Sequence, residues 1–230
     1  GFTGAVANII TKSGSNTFEG LADISYSPLK WNQKNFDPKK PKFSLYEAPP
    51  RLLHFDGHLS LGGRIIKDKL WFYIAGGPRQ DDTEIIGFKE RRSRQMPYIF
   101  GKITYQIGKK TRIQAFSYWE DFLFYNRALS VTRPLEATYF DVGPGISIGL
   151  HALHTFSDKT FSEFKIGYFW CLYDKRPNKG RNVAQHHDVL TGMYSGNFGW
   201  WMESDTAHLT ANANLSHHAD DFIKGDHDFK

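Results

Sequence analysis

The chain has 230 residues, 16% of them aromatic, and a formal net charge of +5; it holds no run of about 20 apolar residues, which excludes a helix bundle in lipid. Its basic residues fall between strands rather than along one element, so the charge does not outline a nucleic-acid surface. Cys171 is the single cysteine, which excludes an internal disulfide. Set in FWCLY, it reads as a small packed side chain rather than a nucleophile.

In chain order, GFTGAVANIITKSGSNTFEG comes first. Ala5 to Ile10 reads as a short buried strand bounded by Gly4 and Gly14, and a polar stretch from Thr11 to Asn16 follows. A chain that starts in such a strand reads as the interior of a longer one. From Thr17 to Ser27 the pattern changes: Phe18, Ala22, Ile24 and Tyr26 alternate with Glu19, Asp23, Ser25 and Ser27, giving one apolar and one wet side.

The same alternation returns down the chain. Phe55, Gly57, Leu59, Leu61 and Ile65 alternate with His54, Asp56, His58, Ser60 and Arg64, and after a turn at Lys67 to Lys69 come Leu70, Phe72 and Ile74 against Trp71 and Tyr73. Ile99, Ile103, Tyr105 and Ile107 alternate with Lys102, Thr104 and Gln106, and a Gly108 turn leads into the aromatic TRIQAFSYWEDF. Further strands are read in GISIGLHALHTF, in FSEFKIGYFWCLY after a turn at Ser157, and in AHLTANANLSH, with HDFK opening another. The fold class is all-β, with about eight strands and the start of a ninth.

The connections sort this class further. Tight turns at Lys67, Gly108 and Ser157 alternate with long links from Pro28 to Leu52, Gln80 to Arg94, Leu123 to Asp141 and Asp174 to Glu203. Structureless links of that length are unusual in compact soluble domains, whereas short periplasmic turns opposite long extracellular loops are the pattern of an outer-membrane barrel. The alternating runs are about 10 residues long, enough to cross a bilayer at barrel tilt. The polar positions Asp56, Arg64, Lys102, Glu163, Lys165, Asn212 and Asn214 suit a wet lumen and not a dry sandwich core. The reading is therefore an antiparallel transmembrane β-barrel portion, with Tyr26, Trp71, Tyr105, Trp119, Tyr168 and Trp170 as candidate interfacial girdle residues.

Two stretches carry a resemblance to a known family. GAVANIITKSGSNTFEG resembles the passage from plug to barrel in TonB-dependent outer-membrane receptors, with Glu19 where His is common. LSLGGRIIKDKLWFYIAGG, Leu59 to Gly77, is similar to a hairpin of the Oar-like, carboxypeptidase-regulatory-domain-bearing group, with Arg64 where Pro is frequent. The closing GDHDFK looks like a family barrel strand; outside residues 1 to 20 and 57 to 77 the likeness is diffuse. The resemblance implies a plugged barrel of roughly 22 strands in the outer membrane of a Gram-negative-type bacterium, importing a scarce ligand with energy passed through TonB. Residues 1–16 would then be the C-terminal end of the plug domain and residues 17–230 the N-terminal part of the barrel. The TonB energy-transducing complex would be met through a missing N-terminal part.

Candidate sites are sparse. His217, His218, Asp220, Asp221, Asp226 and His227 cluster at a turn, and His186, His187 and Asp188 lie in the longest loop; both read first as solvated polar groups. No nucleophile elbow, phosphate loop or paired zinc motif is present, so no enzyme activity, cofactor or metal is expected. Trp31, Tyr194, Trp200 and Trp201 are the candidate ligand-binding residues, since rings in or beside long loops offer stacking faces to an oligosaccharide, peptide or metal chelate. The Trp200–Trp201 pair reads equally as an interfacial anchor. Basic loop residues suit lipopolysaccharide phosphates and the outer-membrane lipid surface; no nucleic-acid partner is expected. The alternative is a soluble all-β carbohydrate-binding or adhesive module.

Overall fold

The computed structural model describes residues 11–32, 52–85, 87–220, 224–225 and 227–229. The expected Ala5 to Ile10 strand and the basic residues Lys34, Lys39, Lys40 and Lys42 lie outside them. Thirteen of the described strands form one antiparallel sheet. It begins with β1 (Glu19–Ser27), β2 (Leu52–Ile66) and β3 (Leu70–Gly77). β4 (Arg79–Glu84), β5 (Arg91–Gln95), β6 (Tyr98–Ile107), β7 (Thr111–Glu120) and β8 (Leu123–Arg127) follow. β9 (Tyr139–Val142), β10 (Gly145–Ser157), β11 (Thr160–Pro177), β14 (Met202–Ala219) and β15 (His227–Phe229) complete it. A separate two-stranded hairpin, β12 (His186–His187) with β13 (Tyr194–Ser195), sits in the loop between β11 and β14.

Several of these strands are halves of longer ones. β3 and β4 both pair with β2, and Leu59↔Gly76 and Asp56↔Arg79 keep one register across Pro78. The same holds where β5 meets β6 at Met96–Pro97, where β7 meets β8 at Asp121–Phe122, and where β9 meets β10 at Gly143–Pro144. The hydrogen-bond order runs in a cycle through these halves. Joined end to end, they leave a meander of nine wall strands among the described residues, each paired with its chain neighbours. The breaks fall on one line across the sheet. Proline has no N–H to give the ladder, yet the carbonyls of Pro78, Pro97 and Pro144 accept from Gly57, Asp121 and Leu172 at 2.9–3.0 Å.

Cross-strand register puts the alternation on two continuous faces. One joins Ile24, Leu59, Leu61, Ile74, Ile99, Ile103, Ile148, Leu150, Ile166 and Leu209; the other joins His58, Tyr73, Lys102, Thr104, Gln114, His151, Lys165 and Asn212. Burial is inverted relative to a water-soluble sheet: Ile24 is 72% and Leu209 66% exposed, while Thr104 and Lys102 are 1% and 8% exposed. This is the wall of a β-barrel portion, with its apolar face toward lipid and its polar face toward a lumen. Tyr26, Tyr105, Trp119, Tyr168 and Trp170 lie on the apolar face, as girdle residues should. Trp71 does not: it pairs with Arg64 and Thr104 on the polar face.

The links at the long-loop rim are less open than the alternation suggests. β4 (RQDDTE), β5 (RRSRQ) and β8 (LFYNR) extend the wall beyond the break line, and β11 and β14 reach 18 residues each. Both faces of β4 and β5 are polar, so neither has the dry face that marks a strand by alternation, and β8, with Leu123, Phe124 and Tyr125 in a row, does not alternate either.

At the opposite rim the segment before β1 is fastened to the polar face. The Asn16 side chain donates Nδ2–H to Asp68 Oδ1 (2.6 Å) while its Oδ1 accepts from the Asp68 N–H and from Trp71 Nε1, both at 2.9 Å. Arg64 Nη1 donates to the Asn16 carbonyl, and Lys102 Nζ donates to Thr11 Oγ1 (2.9 Å) and to its carbonyl (3.2 Å). Asp68 holds a φ of 60° in the β2–β3 turn. Gly14 lies so close that a Cβ there would stand 2.1 Å from the Phe72 carbonyl, and one on Gly63 would stand 2.3 Å from the Phe18 ring. The two motifs of the sequence, KSGSN and GGRIIKDKLW, are the halves of this clasp. Asn16→Ala is expected to lower stability by about 1–3 kcal/mol, read as an earlier urea midpoint for refolding into detergent micelles, with Ser15→Ala nearly neutral; an unmoved midpoint in the Asn16 variant refutes the clasp.

Candidate functional site

At the long-loop rim, the loop between β11 and β14 folds back onto the wall because its polar groups are tied locally. Asn197, 1% exposed, donates to the carbonyls of Gly180 (2.7 Å) and Val183 (3.1 Å) and accepts from the Lys179 N–H. Asp188 accepts from the Leu190 and Thr191 amides, Tyr194 N–H donates to the Thr132 carbonyl, and Gly196 N–H donates to Glu136. Gly196 has a φ of 82°, which lets the chain turn there without a side-chain clash.

The result is a layer of rings and cations over β9 and β11. Tyr139 and Phe198 have ring centroids 4.0 Å apart, and Trp200 lies 6.2 Å from Phe198. Lys175 Nζ sits 3.9 Å from the Trp200 ring and 4.7 Å from that of Tyr139. Arg133 covers Tyr194 at 3.6 Å, and His187 stacks against the Tyr194 ring at 4.2 Å. Each such contact contributes about 0.5–2 kcal/mol, so the layer is held by several modest terms acting together. Below it, Arg127 Nη1 donates to Asp141 Oδ2 and to Tyr173 OH, and the Tyr173 hydroxyl donates to the same carboxylate oxygen at 3.1 Å. Burial and the Asp141 charge push the Tyr173 hydroxyl's pKa up, which keeps it protonated as a donor. Burial pulls Lys175 down; Asp141 opposes that and Arg127 adds to it.

Register places Tyr139, Asp141, Tyr173 and Lys175 on the polar face. The same row continues across the extensions through Phe124, Arg94 and Asp81 to His54. Asp81 accepts from Arg94 Nη2 at 2.7 Å and lies 2.6 Å from His54 Nδ1. Burial acts to raise its pKa, but the His54 hydrogen bond and the Arg94 guanidinium outweigh that and hold the carboxyl below its ordinary value.

Of the four rings singled out in the sequence, Tyr194 and Trp200 join this layer. Trp201 does not: its ring lies under Arg181, 3.3 Å from the guanidinium carbon, beside Phe140 and Glu203. Trp31 ends a 3-10 turn at Leu29–Trp31 next to Tyr26, ring centroids 6.5 Å apart, on the far side of the sheet. Tyr139, Phe198, Arg133 and Lys175 are the members that reading by sequence missed. The His217–Asp220 turn is a hydrogen-bonded clip, with His218 between Asp228 (2.7 Å) and Asp220 (3.0 Å). No group of three metal-ligating side chains occurs among the described residues; Asp221 and Asp226 lie outside them.

Part of this chain is similar to a TonB-dependent transporter. The curated relative is the TonB-dependent transporter Oar of Myxococcus xanthus, 35% identical over 78 residues, a stretch that covers 33% of this chain and 7% of that protein. No family model matches the chain, and no solved structure does. The matched stretch is thus a small part of the transporter's length.

One electrostatic consequence is open to measurement. A carboxyl whose folded pKa is depressed stabilises the fold above its unfolded value and loses that contribution as pH falls through the folded one. Amide protection in β4 and β5, with the intrinsic exchange rate at each pH divided out, should therefore fall as pH drops below Asp81's ordinary value of 3.8, and Asp81→Asn should flatten that dependence at the cost of lower protection near neutrality.

Proposed function

We propose that this chain is the early wall of a TonB-dependent outer-membrane transporter, with residues 1–16 the end of its plug and residues 17–230 the first part of its barrel. What carries the reading is the inverted burial of the sheet: a lipid-facing apolar side, a polar luminal side, tight turns at one rim and docked loops at the other. A soluble carbohydrate-binding or adhesive module would have to keep that apolar face in water. On this reading further strands complete the wall, because open edges are not tolerated in hydrocarbon. The clasp around Asn16 supports a plug entering the lumen at the short-turn rim, which is then periplasmic.

Function on this reading is gated import rather than bond chemistry. A scarce ligand, an oligosaccharide, peptide or metal chelate, meets the ring layer of Tyr139, Tyr194, Phe198 and Trp200 at the extracellular mouth and passes when the plug rearranges. Energy comes from the TonB complex, engaged by segments outside this chain. Lipopolysaccharide surrounds the wall, and neither nucleic acid nor a resident cofactor takes part.

The test is uptake by cells carrying the intact gene during ligand-depleted growth. Deletion should abolish growth on the limiting nutrient, and Trp200→Ala or Tyr194→Ala should weaken uptake at low ligand by about 3- to 10-fold, the loss of one stacking contact. Uptake that persists after the inner-membrane proton gradient is collapsed defeats the proposal.

A further inference from the structure

Trp201 belongs to a second site. Phe140 pairs with Arg176 and Glu203 with Asp174 across neighbouring strands. All four lie on the same side of the wall as Trp170, the lipid-facing side. With Trp201, Pro177, Gly180 and Arg181 they enclose a cleft of about 400 Å3. Asp174 stands four positions beyond Trp170 along β11. At the rise of an extended chain that is about 13 Å along the strand and, at barrel tilt, about 10 Å along the membrane normal past the aromatic band, which places the cleft in the headgroup and sugar layer rather than in hydrocarbon.

The chemistry of the lining is specific. Asp174 is 2% exposed; its Oδ2 accepts from Arg176 Nε and Nη2, while its Oδ1 is buried and has no donor among the described residues. Buried carboxylate oxygens are seldom left so, and Asp174 is among the residues that line the cleft, where a ligand hydroxyl would supply the missing donor. Glu203 adds a second acceptor, Arg176 and Arg181 add donors, and the Trp201 indole adds an aromatic face. Two guanidinium groups against two carboxylates leave the lining without net charge. A bare phosphate would meet both carboxylates, and an acyl tail would leave all four charges dry. A sugar ring suits this set, since its hydroxyls both donate and accept and its C–H face packs on an indole.

We propose that this cleft binds a saccharide ring of an outer-leaflet glycolipid and moors the wall in the leaflet's sugar layer. The site stands on its own geometry; its source of sugar rests on the outer-membrane reading above.

The experiment is titration of the full-length receptor in detergent with two probes: intact lipopolysaccharide, and the core oligosaccharide freed from it by mild acid. Trp201→Ala should weaken binding of both by roughly tenfold. Glu203→Gln should weaken both several-fold, Trp201→Tyr should stay close to wild type because a ring is kept, and Trp200→Ala, on the luminal side, should change neither. Wild-type affinity in both Trp201→Ala and Glu203→Gln overturns the site, as does an equal loss in Trp200→Ala. Binding of the intact glycolipid without the free oligosaccharide overturns the saccharide assignment. Binding of the free oligosaccharide alone overturns the leaflet as its source. Cargo uptake is scored separately: its absence in cells with the wild-type gene defeats the transport reading and leaves these titrations standing.

Discussion

A peptide group in hydrocarbon has no water to bond, and the antiparallel ladder from β1 to β14 is where the wall's N–H and C=O groups find partners. Once the ladder is fixed, the period of two forces everything else. Each strand must give alternate residues to lipid and to the lumen, and one register error would turn its apolar set inward. The constancy of register across Pro78, Pro97, Asp121–Phe122 and Gly143–Pro144 shows the same constraint reaching past the lipid-facing zone. There the extensions keep their facing although no apolar alternation enforces it.

Two loci hang from this ladder, one at each rim, and they are built differently. At the short-turn rim the clasp is made of directional hydrogen bonds and of glycines that let backbone meet backbone: Asn16 against Asp68 and Trp71, Gly14 against Phe72. At the long-loop rim the contacts are cations on ring faces, Lys175 on Trp200 and Arg133 on Tyr194. The first kind tolerates little displacement before it is lost. The second falls off gently with distance and survives small shifts.

The wall was legible from sequence because lipid imposes a strong pattern: Leu59, Leu61, Ile99, Ile103 and Leu209 all fall where alternation puts them. Trp71 was misassigned because alternation gives its side but not its partner, and its indole N–H is taken by Asn16, 55 residues away. The extensions β4 and β5 are hard to tell from loops in sequence, since runs such as RQDDTE and RRSRQ have no dry side to betray a strand. In the rim layer, Trp200 and Tyr194 stood out by residue type. Their partners Lys175 and Arg133 did not, because a cation over a ring is a meeting of segments that are distant along the chain. Trp200 and Trp201 are one feature in the sequence and two in the fold, one beside Lys175 and the other under Arg181.

The line of prolines across the sheet has a consequence for how such a wall diversifies. Below it, residues answer to the bilayer, and almost any polar intrusion on the outer face is punished. Above it, the ladder restarts in register with sequence that answers only to water and to neighbours such as Asp81 and Arg94. The upper collar can therefore be rewritten by insertion, deletion and charge exchange while the lower staves stay fixed, so one rim is free to change without disturbing the ladder beneath it.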